Sequence, residues 1–269
     1  TSPDLIVILS GDQLYRLNLG SIIDEHLEKG ADLTICTKPV CREDAGMLGL
    51  MEVDSDRRIS NFVEKPGDAE GLSSLQAPMY KEERYLASMG IYIFNTSVLR
   101  ALLENDLEDF GRDIIPSAIR KYRVYSSIYE GFWRDIGTVR SFWEANLGLA
   151  DPVSEFTLYD VNSLIFTHMR YLPPVKINRC DLVNSLVSEG CILSGELIKH
   201  SVIGIRSVIG SGSVVEDTVV MGADYYEMQA PSRQAVPLGI GEGCVIRNAI
   251  IDKNACIGDG CVITPDGKA

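Results

Sequence analysis

Five short patches in the first half of the chain carry residue types suited to phosphate and sugar chemistry. Gly11 and Asp12 follow the apolar run Leu5–Leu9 at once. A carboxylate where a sheet strand ends sits where α/β sheets bind ligands, although an Asp also opens ordinary turns. Glu64 and Lys65 precede Pro66, which predicts extended backbone there; the two charges either meet a ligand or pair in solvent. Ser88 and Gly90 lie in ASMGIY and offer a hydroxyl and a bare backbone, or only a strand bulge. Asp135 lies in FWRDIGT between Trp133 and Ile136, an apolar setting in which a carboxylate wants a metal or a cation; otherwise it belongs to the cap of a following helix. The fifth patch, DFGRDIIP with Asp109, Arg112 and Asp113, reads as a surface or helix-start signal.

The elements around these patches alternate between strand and helix. LIVIL (Leu5–Leu9), LTIC (Leu33–Cys36) and ASMGIYIF (Ala87–Phe94) are short apolar runs rich in β-branched residues, and the first has the look of a buried parallel strand. Ile22, Ile23, His26 and Leu27 fall on one helical face with Gly30 as a stop, and Val98, Leu99, Leu102 and Leu103 form a second stripe. Thr138 is placed to cap a helix carrying Phe142, Trp143, Ala145 and Leu147. Residues 1–150 therefore read as an α/β sheet domain. Residues 151–174, between Asp151-Pro152 and Pro173-Pro174, read as an extended linker.

From about residue 175 the period changes. Imperfect hexads run I-G-I-R-S-V from Ile203, I-G-S-G-S-V from Ile209 and V-E-D-T-V-V from Val215, then I-G-E-G-C-V from Ile240 and I-G-D-G-C-V from Ile257. A six-residue repeat is the sign of a parallel β-helix, in which the first aliphatic points into a narrow core. The fifth position fills the crowded inner corner and holds small residues: Cys191, Ser207, Ser213, Cys244, Ala255 and Cys261. The interruption GADYYEMQAPSRQAVPLG is a loop projecting from one coil.

The whole chain bounds the function. Its 269 residues carry a net charge of −13, which repels phosphate backbones and excludes nucleic-acid binding as a class. No signal peptide or membrane-length apolar run is seen. Seven cysteines without a CxxC pair suit a reducing compartment rather than a disulfide framework or zinc. Met47, Met51 and Met89 read as core filling, and His26, His168 and His200 show no metal spacing.

Taken in order, GDQLYR, FVEKP, ASMGIY, FWRDIGT, ANL, RYLPP, MGADYYE, GIG and IIDKNA resemble the ADP-glucose pyrophosphorylase family over nearly the whole chain. The resemblance implies an incomplete nucleotidyltransferase (Rossmann-like) sheet domain followed by a left-handed parallel β-helix over 175–269. It implies an enzyme that makes ADP-glucose and pyrophosphate from ATP and glucose 1-phosphate for glycogen or starch synthesis. Asp12 and Asp135 would hold Mg²⁺ at the phosphates, Glu64 and Lys65 would meet the sugar phosphate, and Ser88 and Gly90 would line the glucose pocket. Lys253 would bind the phosphate of a 3-phosphoglycerate activator in competition with inorganic phosphate, unless it is only an outward corner lysine. The family further implies a homo- or heterotetramer, in the cytoplasm or, in a plant or alga, the plastid.

Four departures qualify that expectation. No Gly-rich phosphate loop precedes Gly11, and the coil is cut short at its C-terminus, so residues 1–269 alone are expected to be inactive or nearly so. Leu48 also stands where many relatives carry an aromatic residue, and Arg134 where plant-like relatives carry Glu. The rival readings are a non-catalytic regulatory subunit, which would have lost metal carboxylates that are kept here; a pyrophosphorylase for another sugar nucleotide such as GDP-mannose; and a β-helix acyltransferase using His200 as base.

Overall fold

The computed structural model describes residues 3–67, 70–104, 109–161, 163–227 and 235–265. It divides into two compact units, Thr1–Asp135 and Ile136–Ala269. The first contains β1 (Leu5–Leu9), β2 (Gln13–Tyr15), α1 (Leu19–Glu28), β3 (Leu33–Val40), α2 (Arg42–Ala45), β4 (Leu50–Val53), β5 (Ile59–Val63), β6 (Tyr85–Asn95), α3 (Thr96–Leu103), α4 (Ile115–Lys121), β7 (Val124–Ile128) and β8 (Trp133–Asp135). The main sheet has the order β5-β4-β6-β3-β7, with β1 also paired to β6. β2 and β8 form a separate two-stranded ladder.

β6 is the spine because its eleven residues are long enough to pair β3 on one edge and both β1 and β4 on the other. Its apolar side chains feed two cores. Leu86 and Phe94 pack with Leu33, Ile35, Met51, Leu99 and Ile115, while Met89, Ile91 and Ile93 pack with Ile22 of α1, Tyr15 and Trp133. Between Ser88 and Tyr92, β6 advances four residues while β3 advances only from Thr37 to Ile35. The surplus makes a bulge, and Gly90 takes φ +66° within it. The helices form where expected: Asn18 caps α1, and Thr138 and Ser141 form a reciprocal capping box at α5 (Val139–Gly148) of the second unit.

Some expectations are corrected. β1 runs antiparallel to β6 and is only partly buried, with Leu9 45 % exposed; its apolar run serves both faces, Ile6 and Ile8 packing on one core and Leu5 and Val7 on the other. β3 and β7 form the parallel pair of the main sheet. Lys65 is not extended: φ is +48°, because its N–H turns back to the Leu48 carbonyl at 3.2 Å. Leu27 and Leu103, in the last turns of α1 and α3, and Met47, in the turn after α2, are exposed rather than core-filling. Met51 and Met89 are fully buried.

In the second unit, no helix or strand occurs among the described residues between α5 and Lys176, although Phe156 is buried. Beyond it, two- and three-residue strands stack as three parallel sheets. One of them stacks Asp181–Val183, Leu197–Lys199, Val214–Glu216, Val245–Arg247 and Val262–Ile263. The inward residues Ile198, Ile203, Ile209, Val215, Ile240, Ile246 and Ile251 share one core with Cys191 and Cys244. Ser207 and Ser213 are also buried, whereas Ala255 and Cys261 are half-buried. Residues 228–234 of the interrupting loop lie outside the described residues, but its base is closed by the Leu238 N–H donating to Glu227 Oε2 at 2.7 Å.

Corners explain the regularity. Asn184, His200, Asp217 and Asn248 follow stacked strand ends and have φ between +44° and +49°. His200, Asp217 and Asn248 each donate the backbone N–H to a carbonyl of the preceding coil, on Val183, Lys199 and Glu216. Asn, Asp and His tolerate this left-handed backbone better than other side chains do.

Candidate active site

The five patches of the first unit meet along one stretch of β6, from Ser88 to Tyr92. At one end lies the turn from Ser10 to Gln13. The Ser10 N–H donates to the Gly90 carbonyl at 3.1 Å. A Cβ on Gly90 would stand 3.0 Å from Ser10 Cβ and 3.2 Å from Gln13 Nε2, so the bare backbone predicted there is what allows the turn to approach. The Ser10 hydroxyl donates to Asp12 Oδ1 at 2.5 Å, which orients that carboxylate.

The β2–β8 ladder then brings the fourth patch to the first. Gln13 is the register partner of Asp135, Leu14 of Arg134 and Tyr15 of Trp133. Asp12 is the residue next to Gln13, so the two aspartates come from adjoining positions across the ladder. Both are exposed. Asp135 is therefore not sunk in the apolar setting its neighbours suggested: Trp133 packs on the Met89–Ile91 cluster, while Asp135, two residues on along the same face, is the last residue of its strand and is exposed. The Arg134 guanidinium lies 5.9 Å from the centre of the Phe132 ring.

At the other end of the stretch lie Glu64, Asp109 and Tyr92. The Ser88 N–H donates to the Gly49 carbonyl at 2.7 Å, and the Ser88 hydroxyl lies 3.4 Å from the Tyr92 hydroxyl. A Cβ on Gly49 would stand 2.7 Å from Glu64 Oε2, and one on Gly111 would stand 2.8 Å from Glu64 Oε2 and 3.5 Å from Asp109 Oδ1. Two glycines thus make room for the Glu64 carboxylate beside that of Asp109. Burial pushes the Tyr92 phenol above its ordinary value, and the negative charges of Glu64 and Asp109 push it further the same way. Lys65 has an exposed side chain on its left-handed, pre-proline backbone, a strained arrangement of the kind kept at binding sites.

Asp109 and Tyr92 were missed as site residues in the sequence. Asp109 does start a helical turn, accepting the Arg112 N–H at 2.8 Å, as its pattern predicts. Its second role depends on contacts with Glu64 and Tyr92 far away in the chain, which no local pattern announces. The glycines of DFG and of Leu48-Gly49 were the available signal.

No group of three or more His, Cys, Asp or Glu suited to a metal occurs among the described residues. A divalent cation held by Asp12 and Asp135 would therefore complete its shell with water and substrate phosphate oxygens, the usual habit of Mg²⁺. Two exposed carboxylates, one oriented by a hydroxyl, fit that demand.

In the second unit, Lys253 forms an ion pair with Asp224 at 3.2 Å, and the Asn254 side chain accepts the Asp224 N–H at 2.8 Å and donates to Asp224 Oδ2 at 3.0 Å. These bonds hold the Asp224 carboxyl below its ordinary value, the Asn254 side chain first and Lys253 next. His200 lies between two carboxylates, with Nδ1 2.6 Å from Asp217 Oδ1 and Nε2 3.2 Å from Asp151 Oδ1. The second contact is out of line for a hydrogen bond and is electrostatic. No helix among the described residues is long and apolar enough to cross a membrane.

Comparison with known proteins agrees with this architecture. A family model described as nucleotidyl transferase matches residues 1–151, and one described as GLGC left-handed parallel beta-helix domain matches residues 170–269. The chain is 41% identical over 278 aligned residues to the chloroplastic/amyloplastic glucose-1-phosphate adenylyltransferase small subunit of Triticum aestivum. That alignment takes in 96% of this chain and 58% of the relative, so the chain spans little more than half the relative's length.

Proposed function

This chain belongs to the nucleotidyl transferase family, and from that premise we propose that it is part of a glucose-1-phosphate adenylyltransferase. In the proposed reaction a phosphate oxygen of glucose 1-phosphate attacks the α-phosphorus of ATP. The bond from that phosphorus to the oxygen bridging to the β-phosphate breaks, and pyrophosphate leaves with the electron pair, giving ADP-glucose. Such transfer needs no covalent enzyme intermediate; it needs positioning and charge neutralisation.

The observation that carries the reading is the convergence of Asp12, Asp135, Glu64, Asp109, Ser88 and Tyr92 on one bulged stretch of β6. Glu64 and Asp109 are acceptors suited to sugar hydroxyls. The Tyr92 phenol, kept protonated by its surroundings, is a donor beside them. Lys65 offers its ammonium to the sugar phosphate, and Gly90, by admitting Ser10 and Gln13, brings the Asp12 turn to the pocket that it would line with Ser88. Asp12 and Asp135 would hold Mg²⁺, which when bound neutralises the repulsion between the two phosphate groups.

Regulation belongs to the same reading. Asp224 already neutralises Lys253, so an anionic effector such as 3-phosphoglycerate or inorganic phosphate would displace that carboxylate and take its place. Lys253→Ala is expected to abolish the activator response without changing unstimulated turnover. Assembly as a homo- or heterotetramer, and residence in the cytoplasm or a plastid, follow the same reading; the wheat relative is by its name a plastid protein. The acyltransferase alternative is disfavoured because both His200 nitrogens face carboxylates, leaving neither open to a substrate hydroxyl or amine.

Calorimetric titration with glucose 1-phosphate in the presence of Mg²⁺ tests the proposal. Binding is expected, weakened about tenfold to a hundredfold by Glu64→Gln, the scale of a lost charge-assisted hydrogen bond. Equal affinity of the wild type and Glu64→Gln would remove Glu64 from the sugar site, and absence of binding would remove the sugar site itself.

A further inference from the structure

Gln13 occupies a place in the site that neither the family description nor the five sequence patches assign. Its side-chain Oε1 accepts the indole N–H of Trp133 at 3.1 Å. An indole only donates, so it fixes which end of the amide faces it. The Nε2 end is thereby turned toward the β6 bulge, where it lies 3.2 Å from the place a Cβ would take on Gly90. The amide is held at one end by β8 and at the other by β6.

β2 and β8 are three residues each and form a ladder of their own, and a two-stranded ladder of that length has little independent stability. Its register matters, because a slip of one residue turns every side chain to the other face. In the observed register, Trp133 and Asp135 share a face with Gln13 and Tyr15. The Gln13–Trp133 bond is a diagonal tie within that face, and the burial of Trp133 among Met89 and Ile91 anchors its far end. A slip would break the Gln13–Asp135 pairing that sets Asp135 beside the turn carrying Asp12 and Ser10.

We propose that Gln13 is a positioning residue: by bonding Trp133 and seating on the Gly90 bulge, it fixes the β2–β8 register that holds the Asp12 and Asp135 carboxylates toward one divalent cation. The inference rests on the proposed metal-dependent transfer and adds to it the element that sets the metal carboxylates. Gln13 itself contributes no metal ligand and no group to the reacting atoms.

The test is Mn²⁺ titration of this chain, with Trp133 emission recorded in a Trp143→Phe background. Gln13→Met keeps the side-chain length and removes the amide; it is expected to shift Trp133 emission and weaken Mn²⁺ about tenfold, the scale of losing an outer-shell partner. Gln13→Glu keeps an acceptor for the indole and is expected to retain the emission and hold Mn²⁺ at least as tightly. Trp133→Phe removes the same bond from the other side, with the same tenfold loss expected, and serves if Gln13→Met fails to fold. A changed emission with Mn²⁺ affinity within twofold of wild type, while Asp12→Asn abolishes binding, would overturn the positioning role and leave the metal site standing. Equal Mn²⁺ affinity in the wild type and Asp12→Asn would overturn the metal reading and this inference with it.

Discussion

Both units place residues on left-handed backbone, and they do so differently. In the coil, Asn184, His200, Asp217 and Asn248 recur at one corner with φ values within a few degrees of each other, and three of them donate to the coil before. In the sheet unit the left-handed residues do not recur at one place: Gly30, Arg57 and Gly67 take such backbone at separate points, and Lys65 and Gly90 take it at φ +48° and +66°. Lys65 bears the added cost of preceding a proline, and Gly90 sits where Ser10 and Gln13 crowd the backbone. Left-handed geometry that repeats builds the architecture. Of the unrepeated kind, Gly30 and Arg57 close ordinary turns, while Lys65 and Gly90 lie beside the candidate site, as expected of strain kept for binding.

The largest expected effect tests the repeating half. Ile246 is fully buried in the coil core, and Ile246→Asp places a carboxylate there without a partner. A loss above about 4 kcal/mol is expected, read as loss of the coil's far-UV signal; an unchanged melt would contradict a continuous dry core. Gly90→Ala comes next. Left-handed backbone costs an alanine about 1–2 kcal/mol, and its methyl would meet Ser10, so both the melting temperature and glucose 1-phosphate affinity should fall.

Gly243→Ala sharpens the comparison. Gly243 has φ +63°, and nothing lies within 4 Å of where an alanine methyl would stand, so about 1 kcal/mol of stability should go while ligand affinity stays unchanged. A ligand effect equal to that of Gly90→Ala would erase the distinction between the two halves.

The smallest expected effect concerns Asp32. Burial opposes its ionisation, but hydrogen bonds and charge from Arg123 outweigh it, so the carboxyl lies below its ordinary value in the folded chain. Its contribution to stability is therefore present above the unfolded value near pH ~4 and is lost as pH falls through the lower folded value. Arg123→Ala should move the acid-unfolding midpoint upward and cost little at neutral pH, since the pair is open to solvent on the Arg123 side. A midpoint that stays in place would show that the pair contributes nothing.

Legibility in the sequence follows the same divide. The coil was readable because each hexad meets the same surroundings: Ile203, Ile209 and Val215 are buried alike, and Ser207, Ser213 and Cys244 fill like corners. The helices at Leu19–Glu28 and Val139–Gly148 were readable from stripe and cap. The direction of β1 was not, since a short apolar run looks the same in parallel and antiparallel pairs. Asp109 and Tyr92 escaped because their role is set by partners far away in the chain, and the exposure of Asp135 escaped because an apolar neighbour such as Trp133 does not show where the strand ends.

The central claim is that Asp12 and Asp135 serve one cation. Electron paramagnetic resonance of bound Mn²⁺ measures this directly in the wild type, Asp12→Asn and Asp135→Asn. The account predicts one bound ion per chain, lost alike in both variants. An ion retained in either variant at wild-type affinity would contradict it.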